Sequence, residues 1–175
     1  MRLAKRGGLA ILVGTMVCMA GVMPSSAQPT ASKIAAQPIA YADLGKMVRS
    51  QRGKVVVVDF WSIYCVPCKR EFPHLVELHN KYGKDGLVAF SVALDAADDK
   101  ESRGEVDVFL TKKQATFTNF IVAGSPEDWY KQLKIPSIPS VFVFDRENRR
   151  ILKLVGEEVD YKKAVEPEVI KLLKQ

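Results

Sequence analysis

The chain is short of the residues that hold metals or staple small folds: among 175 residues there are three cysteines and two histidines. Cys18 lies in an apolar N-terminal stretch, so only Cys65 and Cys68 remain beyond it. A structural zinc wants four ligands, and the other candidates, His74 and His79, fall on the same expected helix as Cys68; one rigid helix cannot fold all four around an ion. The two histidines read as surface or boundary residues. A lone close pair of cysteines also excludes a disulfide-stapled scaffold. Long hydrophobic runs are missing too, since Leu9 to Val22 falls short of the roughly 20 residues that span a bilayer. Charge of one sign is not in excess where it would matter. The net charge is +6, but Arg2, Lys5 and Arg6 open the chain with no acid near them, which leaves +3 beyond residue 27. Lysines and arginines are interspersed with acids, as in Lys100-Glu101-Ser102-Arg103, so nucleic acid is not an expected partner. No internal repeat or low-complexity block is visible.

What is present begins with a targeting pattern. A basic start, the apolar stretch, the Met23-Pro24 break and Ser25-Ser26-Ala27 before Gln28 read as a signal peptide over residues 1–27. Thr15-Met16-Val17 lacks the small residue that a lipoprotein site needs before its cysteine, so Cys18 is expected to leave with the leader. Residues 28–38, rich in Ala, Ser, Thr, Gln and Pro, read as a flexible linker. Residues 39–175 form one domain with room for a real core. Export across the inner membrane to the periplasm is expected, with membrane anchoring the outcome if the leader is not cleaved.

The chain is organised around Val55 to Pro73. Val55-Val56-Val57-Val58 is the unbroken apolar run of a strand buried on both faces. Asp59, Phe60 and Trp61 close it, and after a short turn Cys65 and Cys68 sit where a helix begins. Only a thiolate attacks a disulfide, and the unpaired N–H groups and positive dipole end of a helix stabilise a thiolate. Cys65 is therefore the candidate nucleophile, and Cys68, one turn inward, the residue that closes an internal disulfide and releases what Cys65 captured. Pro67 near the helix start removes a donor that the helix does not need there.

Val57-Val58-Asp59-Phe60-Trp61, followed by Cys65-Val66-Pro67-Cys68-Lys69-Arg70-Glu71-Phe72-Pro73, is similar to the thioredoxin superfamily, most of all to its extracytoplasmic TlpA/ResA-like branch. Ile135-Pro136-Ser137-Ile138-Pro139-Ser140 is a second matching block ahead of a strand. The resemblance implies an α/β thioredoxin-like fold, a mixed central β-sheet flanked by helices with a central helix–strand insertion. It implies that Pro139 is cis and faces the cysteines, where the backbone beside it can pair with a partner's extended segment. It also implies that Asp59 is buried and shuttles the proton of Cys68. Tyr64, Val66, Pro67 and Ile138 are the expected substrate-contacting residues. Tyr64 stands where the family usually has Trp, Ser137 where Gly is common and Ser140 where Thr is common; none removes a reacting group. Asp95 matches the region in which ResA-like proteins carry an active-site glutamate, and reads as a cap or loop residue.

Periodicity and caps predict helices over Asp43 to Ser50, Cys65 to Tyr82 with a kink at Pro73, Lys100 to Lys112, Pro126 to Leu133 and Pro167 to Leu173. Strands are expected over Val55 to Phe60, Leu87 to Leu94, Thr118 to Val122, Val141 to Phe144 and Arg150 to Val155. The order gives parallel β-α-β units and then an antiparallel hairpin. The expected function is a thiol-disulfide oxidoreductase that reduces a disulfide-containing protein substrate and draws electrons from a membrane thiol carrier. The related branch keeps apocytochrome or metal-site cysteines reduced. The reductive direction is argued from Pro67, which stands where strong oxidants of the superfamily carry His. No bound cofactor is expected, since the dithiol carries both electrons, and the chain is expected to be a monomer. Two alternatives stay open. A peroxiredoxin-type thiol peroxidase is suggested by Ser62-x-x-Cys65, although Val58 sits where those enzymes carry proline; the other is a non-enzymatic binding module using the same groove.

Overall fold

The computed structural model describes residues 34–175. The expected signal peptide, Cys18 and residues 28–33 of the expected linker lie outside that range. The valine run forms the middle of the sheet, as strand β2 (Val55–Trp61), and all seven of its residues are buried. It pairs in parallel with β3 (Leu87–Ala96) and antiparallel with β5 (Ser140–Phe144). Strand β4 (Thr118–Val122) continues the parallel side, and β6 (Arg150–Val155) closes the antiparallel hairpin with β5. A short strand β1 (Gln37–Ile39) pairs with β4, giving six strands in the order β1-β4-β3-β2-β5-β6. The mixed α/β architecture expected from the sequence is thereby present.

Side chains alternate across a strand, and β2 divides the interior accordingly. Val55, Val57 and Trp61 face a core built from α2 (Val66–Tyr82), α3 (Lys100–Lys112) and α5 (Glu166–Leu173), through Phe72, Leu75, Leu110 and Val169. Val56, Val58 and Phe60 face the other core, closed by Leu44 and Val48 of α1 (Tyr41–Ser50) and Trp129 and Leu133 of α4 (Pro126–Leu133). Asp59, by the same alternation, points into the α2 side. It is the single charged residue in the strand.

Caps set the helix bounds. Asp99 accepts from the Glu101 N–H and Ser125 from the Asp128 N–H, so α3 and α4 begin where their sequences place them. Helix α2 stays continuous through Pro73, whose missing N–H leaves the Lys69 carbonyl without its usual donor. Two differences from the expected elements stand out. The linker expected to reach Pro38 is already part of the fold at its end: Ala36 is buried, its N–H donates to Asp107 at 2.8 Å, and residues 37–39 are β1. Before α5, Tyr161–Val165 forms a π-helical turn capped by Asp160, whose side chain accepts from the Lys163 N–H.

On the α2 side, Phe72 is fully buried at the centre of an aromatic cluster, 5.0 Å from the Trp61 ring, 5.2 Å from Phe109 and 6.2 Å from Phe117. The cluster ties α2 to α3 and to the segment that enters β4. Phe72→Ala should therefore cost about 3–5 kcal/mol of stability, the range for an aromatic-to-alanine cavity. Urea denaturation checks this; a loss below about 1 kcal/mol would mean that the cluster is not a packing centre.

Candidate active site

The loop from Ser62 to Tyr64 carries the chain from the end of β2 to the start of α2, where Cys65 is the N-cap. Cys65 Sγ accepts from the Cys68 N–H at 3.2 Å, and the Cys65 and Cys68 sulfurs are joined in a disulfide. The two sulfurs differ in access. Cys65 is half-buried beside exposed Tyr64, Val66 and Pro67, whereas Cys68 is 2% exposed. Cys65 is therefore the sulfur open to solvent, and Cys68 is reached only from within. The N–H that meets Cys65 Sγ is one of the helix-start donors that stabilise a thiolate at this position.

The Ile138-Pro139 bond is cis. Ser140 pairs with Phe60 across the antiparallel ladder, so Pro139 lies opposite Trp61, at the end of β2 from which the cysteine loop departs. Gly156 donates its N–H to the Pro139 carbonyl at 2.8 Å, and Ser140 Oγ donates to the Ser137 carbonyl at 2.8 Å. The strand ends thus gather Tyr64, Cys65, Val66, Pro67, Cys68, Ile138 and Pro139 at one end of the sheet. Tyr64 and Val66 are 68% and 71% exposed there, an unusual exposure for large apolar side chains. A groove of about 790 Å³ opens beside them, between Ile63, Tyr64 and Lys69 on one side and Lys100, Val108 and Phe109 of α3 on the other. A separate groove of about 580 Å³, lined by Leu44, Phe60 and Phe142, lies on the other sheet face and holds neither cysteine.

Asp59 is buried beneath this end. Its Oδ2 accepts from the Tyr161 hydroxyl at 2.6 Å, and its Oδ1 has no partner among the described residues. Burial pushes the Asp59 carboxyl up to about 7; the Tyr161 hydrogen bond opposes the rise and Glu71 adds to it. Tyr161 itself is held well above the usual phenol range by burial and by Asp59. Nothing in the sequence singled out Tyr161, because a buried tyrosine 102 residues away looks like any core aromatic.

Asp95 differs from its sequence reading. It is not a loop or cap residue but a buried member of β3, accepting from Ser62 Oγ at 2.8 Å and from the Ile63 N–H at 3.0 Å. Burial raises its proton affinity and those two donors lower it, with a net upward shift. Ser62 Oγ in turn accepts from the Tyr64 N–H at 3.2 Å. Asp95 therefore fixes the loop that presents Cys65. The Tyr64 hydroxyl meets Ser102 Oγ at 3.0 Å, and Ser102 donates to Asp99 at 2.6 Å, so the inserted helix grips the same loop. His74 and His79 are half-buried on α2; His79 packs edge-on against Phe117, and burial holds its pKa below the usual imidazole range.

A parallel β2–β3 core with an antiparallel β5–β6 hairpin, a dithiol at a helix N-terminus and a cis-proline across from it define a thioredoxin-like domain. The thioredoxin-like family pattern matches residues 53–151, more than half of the chain, and the chain belongs to that family. Two curated relatives place it further. The thiol-disulfide oxidoreductase ResA of Bacillus cereus is 28% identical over 111 residues, which cover 63% of this chain and 60% of ResA. The protein FixW of Rhizobium leguminosarum is 35% identical over 104 residues, 55% of this chain and 47% of FixW. The matched segment thus spans about half to three-fifths of these relatives. Among solved structures, one from Chlorobium tepidum assigned as a thiol:disulfide interchange protein DsbE superposes with a TM-score of 0.59 at 28% identity, covering 71% of this chain and 83% of the other. A secreted disulfide oxidoreductase of Mycobacterium tuberculosis shares the fold, with a TM-score of 0.56 at 18% identity.

Asp59 makes stability depend on pH in a defined direction. Its carboxyl holds a proton up to about 7 in the folded chain, against an ordinary value of 3.8. Its contribution to stability is complete below about pH 4 and is lost as pH rises through about 7. Asp59→Asn should match the parent at pH 4 and exceed it at pH 8 by up to roughly 4 kcal/mol. Urea denaturation at the two pH values measures the difference, and equal stability at both would contradict the burial of a charge.

Proposed function

We propose that the domain is an extracytoplasmic thiol-disulfide oxidoreductase that reduces disulfides of partner proteins. The observation that carries this reading is the unequal access of the two sulfurs at the start of α2: Cys65 half-buried at the surface, Cys68 buried and already bonded to it. Cys65 as thiolate attacks one sulfur of the partner's disulfide; the Cys65–partner bond forms, the partner's S–S bond breaks and its other sulfur leaves as a thiolate. Cys68 then gives its thiol proton to Asp59 and attacks Cys65 Sγ, closing the internal disulfide and releasing the partner's second thiolate. Two electrons pass to the partner, whose thiolates take protons from solvent. An external dithiol, a membrane thiol carrier, returns the domain to its reduced state by the same exchange in reverse.

Tyr64, Val66, Pro67 and Ile138 form the docking rim beside Cys65, with the main-chain groups of Ile138, free among the described residues, as the backbone edge and Pro139 next to it carrying no N–H to compete for sulfur. Pro67 before Cys68 supports the reductive direction, since no imidazole stands there to favour a reduced thiolate form. The N-terminal leader pattern supports export, as does likeness to a protein described as secreted. Against a peroxidase, the Ser62 hydroxyl proton is committed to Asp95, which leaves it none to offer a peroxide at Cys65.

The reduction potential of the Cys65–Cys68 pair, titrated against a thiol buffer, tests this directly. A value near or below about −200 mV is expected, whereas about −120 mV would make the domain an oxidant. Cys68→Ser should in addition trap a mixed disulfide between Cys65 and its partner. A pair that forms no reversible disulfide would remove the oxidoreductase reading and leave a binding module.

A further inference from the structure

We infer that Tyr161 is a positioning residue for the dithiol: its hydroxyl holds one oxygen of Asp59 and leaves the other as the open acceptor on the sheet face that carries Cys68. The inference rests on the dithiol reading above and adds a residue to it. A phenyl ring would fill the same space, and a buried hydroxyl costs free energy unless it is paired. The pairing present is the 2.6 Å bond to Asp59 Oδ2. Both residues are nearly fully buried, so neither exchanges this partner for water. Asp59 Oδ1, also buried, is left without a partner. Val57 and Trp61, which flank Asp59 on its face of β2, belong to the same cluster as Cys68 and Phe72. The tyrosine is delivered by the π-helical turn Tyr161–Val165, fixed at one end by the Asp160 cap and at the other by fully buried Val165.

The charges around the pair set the sign of its effect. From α2, Glu71 disfavours a second negative charge at Asp59, and the His74 ring lies 6.3 Å from the Tyr161 ring. A cavity of about 260 Å³ beside Tyr161 is lined by Glu77 and Lys81 of α2, by Lys162 of the turn and by Glu166 of α5. Lys81 is paired with Glu166 at 2.8 Å, so it does not serve Asp59. Burial and Glu71 hold the proton on Asp59, and the Tyr161 hydroxyl is the group that favours its release. Without that hydroxyl, Asp59 would stay protonated at neutral pH and could not take the proton of Cys68 when Cys68 attacks the mixed disulfide.

Tyr161→Phe tests this while keeping the ring. The Asp59 carboxyl carbon, followed by NMR against pH, should titrate about one to two pH units higher in the variant, the size of a hydrogen bond to a charged group. The pH midpoint for release of a trapped partner by Cys68 should rise by the same amount, with an unchanged rate on the alkaline plateau. An Asp59 midpoint that is unchanged or lower, in a protein whose disulfide is still reversible, overturns the inference and leaves the dithiol reading standing. If the variant does not fold, the wild-type protein decides. The Tyr161 hydroxyl proton resonance should shift with the same midpoint as the Asp59 carboxyl, and independent behaviour of the two would overturn the inference.

Discussion

Strand β2 lies between β3 and β5 with helices over both of its faces, so every side chain it carries is withdrawn from water. For Val55 to Val58 this withdrawal is stabilising, at roughly 1.5–3 kcal/mol for each large aliphatic side chain buried. For Asp59 the same environment penalises the charge. Strand β2 accepts that penalty at one position, on the face that packs against α2, whose start holds the cysteines. The burial that stabilises the sheet therefore also gives the site a carboxyl that changes protonation near neutral pH.

Around this centre the polar groups are spent on orientation. Asp95 holds Ser62 and Ile63, Ser62 holds the Tyr64 N–H, and Tyr64 reaches across to Ser102 on α3. At the far end of α2, Lys81 and the Tyr82 hydroxyl both meet Glu166, which ties the redox helix to α5. The helix is thus fixed at both ends. Its first turn, where Cys65 and Cys68 exchange partners, is supported by the loop and by the cluster under Phe72. Movement of the dithiol between its bonded and open forms can then stay local.

Much of this was legible in the sequence because the signals are local. The start of Lys100–Lys112 follows from the acidic cap residues before it, of which Asp99 is the one used, and Cys65 and Cys68 follow from spacing at a strand-to-helix junction. What stayed hidden depends on distant pairing. Strand β1 is three residues long, contains Pro38 and pairs on one side only, so its linker-like composition conceals an edge strand. Asp95 resembled a loop residue because β3 runs on to Ala96, past a register shift opposite β4. Tyr161 had no visible mark at all, since its hydroxyl acquires meaning only when the final turn packs against Asp59.

The backbone at the cis-proline has a consequence for how much of a partner can be read. Pro139 has no N–H, and its carbonyl is occupied by the Gly156 N–H, so this residue presents no free main-chain group. Among the described residues, neither the N–H nor the carbonyl of Ile138 has a main-chain partner. In the function proposed above, an extended partner segment would find a single rung of ladder at Ile138 rather than a strand's length. One rung would set the direction of the incoming chain while remaining blind to most of its sequence, which would leave discrimination among partners to side chains such as exposed Tyr64 and Val108.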